Sequence, residues 1–452
     1  MELARHEAIS YAAYRVLASR YALSVNATNT LAALDARMST LGYSTAVTTT
    51  VGSSPAAVGN RVAESILLFS ASDQSRESTS YDDPSYAPVN DPLIIALPGT
   101  TVDDPDRWQP LAFDFALTQN GLFADEIQIF VGSHWGGVRP FALHRENGEP
   151  VYYDPGEPPL FSGPSSVEYR DGNVQVIEFS SYLDPDDGVM IDISPGNIGN
   201  NPLGENNGTV FSINPMTGLP YASNVVKRGD FGRVLAEFWA DGPDSETPPG
   251  HWNTIANEVT EHPLFERRFM GFGPELDPLA WDVRMYLALN GALHDTAIAV
   301  WDCKAYYDYI RPISSIRHLA QLGQSTNPGG LSYHVDGIPL VPGLIEEVDA
   351  NTTLPGGKHE HLIGNEGEIA IYTWPGEPAD PENENSGVEW ILAEDWLPYQ
   401  RDTFVTPAFA GYVSGHSGFS RAAAEILTRI TGNAFFSGRA SHIHIWCRRV
   451  RV

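Results

Sequence analysis

Apolar residues recur at helical spacing most strongly from Leu279 to Ile310, and this run constrains the fold more than any other feature of the chain. Weaker helical runs surround it. The first forty residues place Ile9, Ala13, Val16 and Leu17 on one broad face, and a second run extends from Leu31 to Leu41. Others follow at "AAVGNRVAESILLFSA", from Asn224 to Trp239, from Trp252 to His262 and near Ser314. Alternating strand patterns are short and scattered. The expectation is a mainly α protein whose helical-bundle core lies chiefly in the second half. Around 82–220 and 323–388 the texture changes to short apolar runs broken by Pro, Gly, Asp and Asn, which predicts long irregular insertions. One helical domain over 1–435 is expected, followed by an atypical basic tail at 436–452.

Composition supports a large packed core, with 452 residues of which 42% are hydrophobic and 11% aromatic, while 34 prolines and 41 glycines predict many connections. The formal net charge of -30 argues against a nucleic-acid surface, which needs a concentrated basic face. Against that background, with 27 Lys and Arg facing 57 Asp and Glu, any place where basic groups converge is a candidate for chemistry. Cys303 and Cys447 are too few for a disulfide framework or a Cys-rich metal motif. The opening residues lack the apolar core of a secretory signal and read as a helix already inside a domain. "ALNGALHDTAIAVW" is too short, and too polar at His294 and Asp295, to span a membrane. A soluble protein is expected, with compartment and oligomeric state left open.

Two segments carry chemistry. In "FAGYVSGHSGFSRAAAEIL", Ser414, Gly415 and the first amides of a following helix would point donors at one small anion, with His416 at its edge. The plainer reading is that Ser414 or Ser417 caps the helix. In "WDCKAYYDYIRP", Lys304 and Arg311 stand seven positions apart, so one helical face would carry both. Lys offers a compact charge and Arg a planar fork for two oxygens of a tetrahedral anion. Pro312 would end or kink that helix beside Arg311. The plainer reading here is a solvated face paired with Asp302 and Asp308. "KHEHL" sets His359 and His361 on one side of a strand, a weak metal candidate without further ligands. Nucleotide-loop, zinc-protease, EF-hand and serine-elbow motifs do not occur.

"KAYYDYIRP" and "SGH", in that order, resemble the first two signature segments of the vanadium-dependent haloperoxidases, bacterial branch, within the superfamily shared with type 2 phosphatidic-acid phosphatases. "HWGGVRPF" and "WLPYQRDTFVTPAFAGYVSGHSGFS" carry the same likeness, which extends roughly from Ala4 to Gly432. The resemblance implies a helical bundle and a vanadate site at which phosphate competes. It gives Lys304, Arg311, Ser414 and Gly415 to the anion oxygens and His416 to proton handling. His134, Arg139 and His294 become pocket candidates, although a buried hydrogen bond between His294 and Asp295 is the simpler reading of that pair. Val413 stands where the signature has proline.

The family pattern continues with a later Ser-Arg segment and a histidine that binds vanadate in haloperoxidases or acts as nucleophile in phosphatases. Here the ending is "NAFFSGRASHIHIWCRRVRV", where Arg439 precedes His444 by five residues and no Asp or Glu follows Glu425. The basic tail reads as a frameshifted or truncated end, with a genuine basic helix as the alternative, and His442 or His444 as substitutes for the missing histidine. The resemblance implies halide oxidation by hydrogen peroxide, with a halide or small organic acceptor as partner. Phosphomonoester hydrolysis and an inactive oxyanion-binding role are the alternatives.

Overall fold

The computed structural model describes residues 2–24, 26–116, 124–146, 148–197, 212–214, 217–239, 246–381 and 383–435. They fall into two compact units, Met1–Asp83 with Gly137–Arg139, and Pro84–Gly136 with Pro140–Val452. The protein is mainly helical, as the periodicity predicts. In the first unit α1 (Glu2–Arg20), α2 (Ala27–Thr40) and α3 (Pro55–Ser70) bury Tyr11, Met38 and Ala56 together. Ser54 starts α3 by accepting the Ala57 N–H at 3.2 Å, and Pro55 fits the first helical position because its missing N–H would have no partner there.

The second unit contains α4 (Ser166–Ser181), α5 (Arg228–Trp239), α6 (Pro248–Glu261), α7 (Pro278–Tyr307), α8 (Pro312–Leu322) and α9 (Gly415–Thr431). Asp277 caps α7 by accepting the Ala280 N–H at 2.9 Å, with Pro278 next in line. On α7, Trp281, Met285, Leu289 and Leu293 recur every fourth position, and on α9 Phe419, Ala423, Leu427 and Ile430 do nearly the same. These two stripes form one core with Ala256 of α6. Each fully buried Leu contributes about 1.5–3 kcal/mol. At Gly418 a β-carbon would come 2.8 Å from Val300 Cγ2, so glycine lets the start of α9 lie directly on α7.

A second core joins Ile313, Ile316, Leu319 and Ala320 of α8 to Tyr169 and Ile177 of α4 and to a small sheet. That sheet pairs strands Ile345–Glu347, Ile369–Thr373 and Glu389–Leu392 in this order, all antiparallel, and sends Ile345, Ile369 and Ile371 into the core. The turn-rich stretch 323–388 thus contains two of its strands, and 82–220 contains α4, a full helix where only short elements are expected. Among the described residues no helix is long and apolar enough to cross a membrane.

Candidate functional site

The chain around Lys304 is bent by its own residues. Lys304 lies in the last turn of α7, and Asp308 then takes a left-handed conformation with φ 47° and ψ 41°. Asp is one of the few residues besides glycine that visit this region. Arg311 is extended, with φ -102° and ψ 154°, as the residue preceding Pro312 is biased to be. Pro312 therefore opens α8 rather than ending α7, and Lys304 and Arg311 do not share one helical face. The link between the helices is fixed by main-chain bonds: Trp108 N–H to Asp308 O at 2.6 Å, Ile310 N–H to Asp106 O at 3.1 Å, and Gly411 N–H to Tyr309 O at 2.9 Å.

The two cations converge nonetheless, on the segment just before the Ser-Gly-His step. Lys304 Nζ donates to Ala410 O at 2.6 Å and stands 4.9 Å from the centre of the Phe409 ring. Arg311 Nε donates to Phe409 O, and its Cζ is 4.9 Å from the same ring. Lys304 is only 2% exposed. Burial first, and then the Arg311 charge, hold its pKa well below the usual lysine value, with the Cys303 thiol opposing. Burial in turn pushes the Cys303 thiol up to about 11, so it is a neutral neighbour at ordinary pH.

Ser414 is the cap of α9: its Oγ accepts the Ser417 N–H at 3.2 Å. The plain reading of this serine is therefore what its acceptor does, while its hydroxyl proton stays available to a ligand. Gly415 and the half-buried His416 form the first turn, where amides have no earlier carbonyl in the helix to bond. Trp301 ties the two segments. Its ring lies 4.9 Å from Phe409 and 6.2 Å from Phe419, and a β-carbon at Gly415 would sit 3.6 Å from it. Sequence reasoning missed Trp301 and Phe409 as the contact between the halves. Their signal was aromatic residues shortly before both Lys304 and Ser414.

The remaining candidates divide. His134 sits in the segment 131–136, which packs on α7 where Val131 O accepts the Trp301 Nε1 proton at 2.7 Å and Gly136 meets Asp302. A β-carbon at Gly136 would fall 2.1 Å from Asp302 Oδ1. Arg139 belongs to the first unit, where its Cζ lies 5.2 Å from the Phe69 ring and its N–H bonds Asp73 O at 2.8 Å. His294 places its ring 5.1 Å from Phe141, and Asp295 accepts the N–H groups of Phe141, Ala142 and Leu143 at 2.7, 2.8 and 3.0 Å. The carboxylate thus serves a backbone turn, not the anticipated pairing with His294. Arg439, His442 and His444 lie outside the described residues.

His359 and His361 do not converge as the metal reading required. His359 lies before a short turn of 3-10 helix, with Nδ1 3.1 Å from Thr352 Oγ1, whereas His361 Nε2 is 2.6 Å from Trp390 O. Among the described residues no group of three or more His, Cys, Asp or Glu is arranged to hold a metal ion. The ammonium of Lys304 and the guanidinium of Arg311, which meet on Phe409 and Ala410 a few residues before the start of α9, are groups that suit an oxyanion rather than a cation.

Residues 284–337 and 361–445 match the family described as the VCPO second helical-bundle domain, and these spans include Lys304, Arg311, Ser414, Gly415 and His416. A crystal structure of an apo-type bacterial vanadium-dependent chloroperoxidase superposes with TM-score 0.54 at 18% identity, covering 94% of this chain and 67% of that one. The chain has the fold of these chloroperoxidases. The holo-type structure gives TM-score 0.52 at 17% identity, covering 92% of this chain and 65% of that one, so the chain spans about two thirds of their length. A bacterial vanadium-dependent iodoperoxidase is also similar, at 14% identity and TM-score 0.34, covering 100% of this chain and 91% of that one. No curated protein matches the chain.

Proposed function

We propose that this chain is a vanadium-dependent haloperoxidase-like protein that holds vanadate beside Lys304, Arg311 and the start of α9 and oxidises halide with hydrogen peroxide. The observation that carries the reading is the buried Lys304, held next to Arg311 in a chain of net charge -30. A desolvated cation with a second cation beside it costs the fold stability until an anion arrives, which favours a bound oxyanion. The described residues fit a tetrahedral oxyanion on two sides, one formed by the cations and one by Ser414 with the first turn of α9. The third side, which the family gives to a later arginine and histidine, has Arg439, His442 and His444 as its candidates in the sequence, and these lie outside the described residues.

In this reading Lys304 and Arg311 bind anion oxygens, Ser414 donates its hydroxyl proton and Gly415 its amide. His416, in the same helical turn, takes up and returns a proton at its imidazole. Trp301 and Phe409 keep water from the cations and so strengthen their field. Vanadate, when bound, supplies the centre at which peroxide becomes able to oxidise halide. The chain otherwise contributes position and charge, and phosphate competes for the same donors.

The test combines binding with turnover. Calorimetric titration of the chain with orthovanadate, repeated with phosphate present, is followed by bromination of an organic acceptor in hydrogen peroxide with and without vanadate. Saturable vanadate binding, phosphate competition and vanadate-dependent bromination are expected. Phosphomonoester hydrolysis blocked by vanadate, without bromination, would replace this reading by phosphatase chemistry. Binding with neither reaction would leave an oxyanion-binding role.

A further inference from the structure

Between Lys304 and Arg311 the chain buries a carboxylate that the proposed chemistry does not use. Asp308 is 7% exposed, and its Oδ1 accepts the Tyr86 hydroxyl proton at 2.8 Å. Its own N–H bonds Lys304 O at 2.8 Å, and its carbonyl accepts the Trp108 N–H at 2.6 Å. One residue thus ends α7, sets the left-handed turn and ties that turn to two other segments. Tyr86, in turn, packs at 4.9 Å on Phe130 and at 6.3 Å on Trp108, in the cluster that also contains Ala410, Phe409 and Trp301. Ala410 and Phe409 are the residues whose carbonyls hold Lys304 and Arg311. The next residue, Tyr309, accepts the Gly411 N–H, so the link and the 409–411 turn are tied by a main-chain bond as well as by the two cations.

We propose that Asp308, through its hydrogen bond with Tyr86, is the positioning residue that sets Lys304 and Arg311 on the 409–411 turn. This deepens, and rests on, the oxyanion reading of the same site. The carboxylate does not touch the anion; it fixes where the two cations leave their helices. Burial pushes its pKa up to about 6, with the Tyr86 hydroxyl and the Arg107 charge favouring the ionised form and Asp104 opposing it. Arg107 also donates from Nη1 to Tyr307 O at 3.0 Å and stands 3.9 Å from Asp104. Because the unfolded group titrates lower, protonation favours the closed link, so the link is tightest below about pH 6 and the buried, ionised carboxylate above it relies on the Tyr86 hydroxyl to stay in place.

The test uses the full chain, with phosphate and orthovanadate as ligands between pH 5 and 8, and reads hydrogen exchange at the Trp108 and Gly411 amides. For the unsubstituted protein, protection of both amides, corrected for intrinsic exchange, should be greater below about pH 6 than above it. Asp308→Asn keeps an acceptor and tolerates the left-handed turn, so it should hold affinity within about threefold while the inflection near pH 6 disappears. Asp308→Ala should weaken binding at least about tenfold and speed exchange at both amides. Tyr86→Phe should move the inflection to higher pH. The inference is overturned if Asp308→Asn keeps the original pH profile of exchange, or if Asp308→Ala leaves both amides as protected as before. Absence of any anion binding by the unsubstituted chain would defeat the oxyanion reading instead, and the exchange data would still decide the role of Asp308.

Discussion

Replacing Lys304 with Met tests whether the fold tolerates a buried cation for the sake of an anion. The substitution keeps a long side chain against Phe409 and removes the charge and the bond to Ala410 O. Lys304 has a folded pKa below its unfolded value of 10.5, so the unfolded chain binds the proton more tightly. Stability of the unsubstituted protein therefore falls as pH drops from about 10.5 toward the lowered folded value, by up to about 1.4 kcal/mol per pH unit within that window. Lys304→Met should lack this slope. Its unfolding free energy, from urea titrations at a series of pH values, should gain on the unsubstituted protein as pH falls, with the lost carbonyl bond costing about 1 kcal/mol at every pH. Added phosphate should close the gap for the unsubstituted protein alone, because the lost charge-assisted hydrogen bond is worth about 1.5–3 kcal/mol, or about 10–150-fold in Kd. Parallel stability curves, or equal phosphate affinity in a folded variant, would refute the argument.

Other substitutions separate position from charge. Arg311→Lys should fail to restore the vanadate affinity lost in Arg311→Ala when both are titrated calorimetrically, because a point charge does not replace a two-pronged donor. Asp308 has a folded pKa of about 6 against 3.8 unfolded, so its contribution to stability is complete below about 3.8 and lost as pH rises through 6. Asp308→Asn should consequently gain up to about 3 kcal/mol over the unsubstituted protein above pH 6 in urea unfolding. Leu289→Ala, at a residue with 0% exposure between α7 and α9, should cost about 2–5 kcal/mol in the same assay. Burial holds the His359 pKa below 6.5, so the unsubstituted protein should lose thermal stability as pH falls below 6.5, and His359→Gln should flatten that acid limb.

The helices that carry the site were legible because their buried faces are apolar. On α7 the stripe through Leu289 repeats every fourth residue, and on α9 the stripe through Ala423 repeats every third or fourth. Helix α4 was not, because its buried positions are Tyr169, Asn173, Ile177 and Ser180, a stripe half polar in type. Asn173 Oδ1 accepts the Ser315 hydroxyl proton, and Ser180 Oγ accepts that of Thr373, both at 2.5 Å, so tertiary hydrogen bonds take the place of the apolar signal. Strands as short as Ile345–Glu347 are too brief to show alternation. The residue types at Lys304, Arg311, Ser414 and His416 led from the sequence to the proposal of anion chemistry. Their geometry was not legible, since the turn at Asp308 depends on Tyr86 and Trp108, some two hundred positions earlier.

The central claim is that Lys304, Arg311 and the start of α9 hold one oxyanion. A crystal structure of the full chain grown with orthovanadate, with data collected at the vanadium absorption edge, tests it most directly. The account predicts an anomalous peak whose surrounding oxygens lie within hydrogen-bonding distance of Lys304 Nζ, the Arg311 guanidinium and the Gly415 amide. Vanadium bound elsewhere, with Lys304 and Arg311 still turned only to the Ala410 and Phe409 carbonyls, would contradict it.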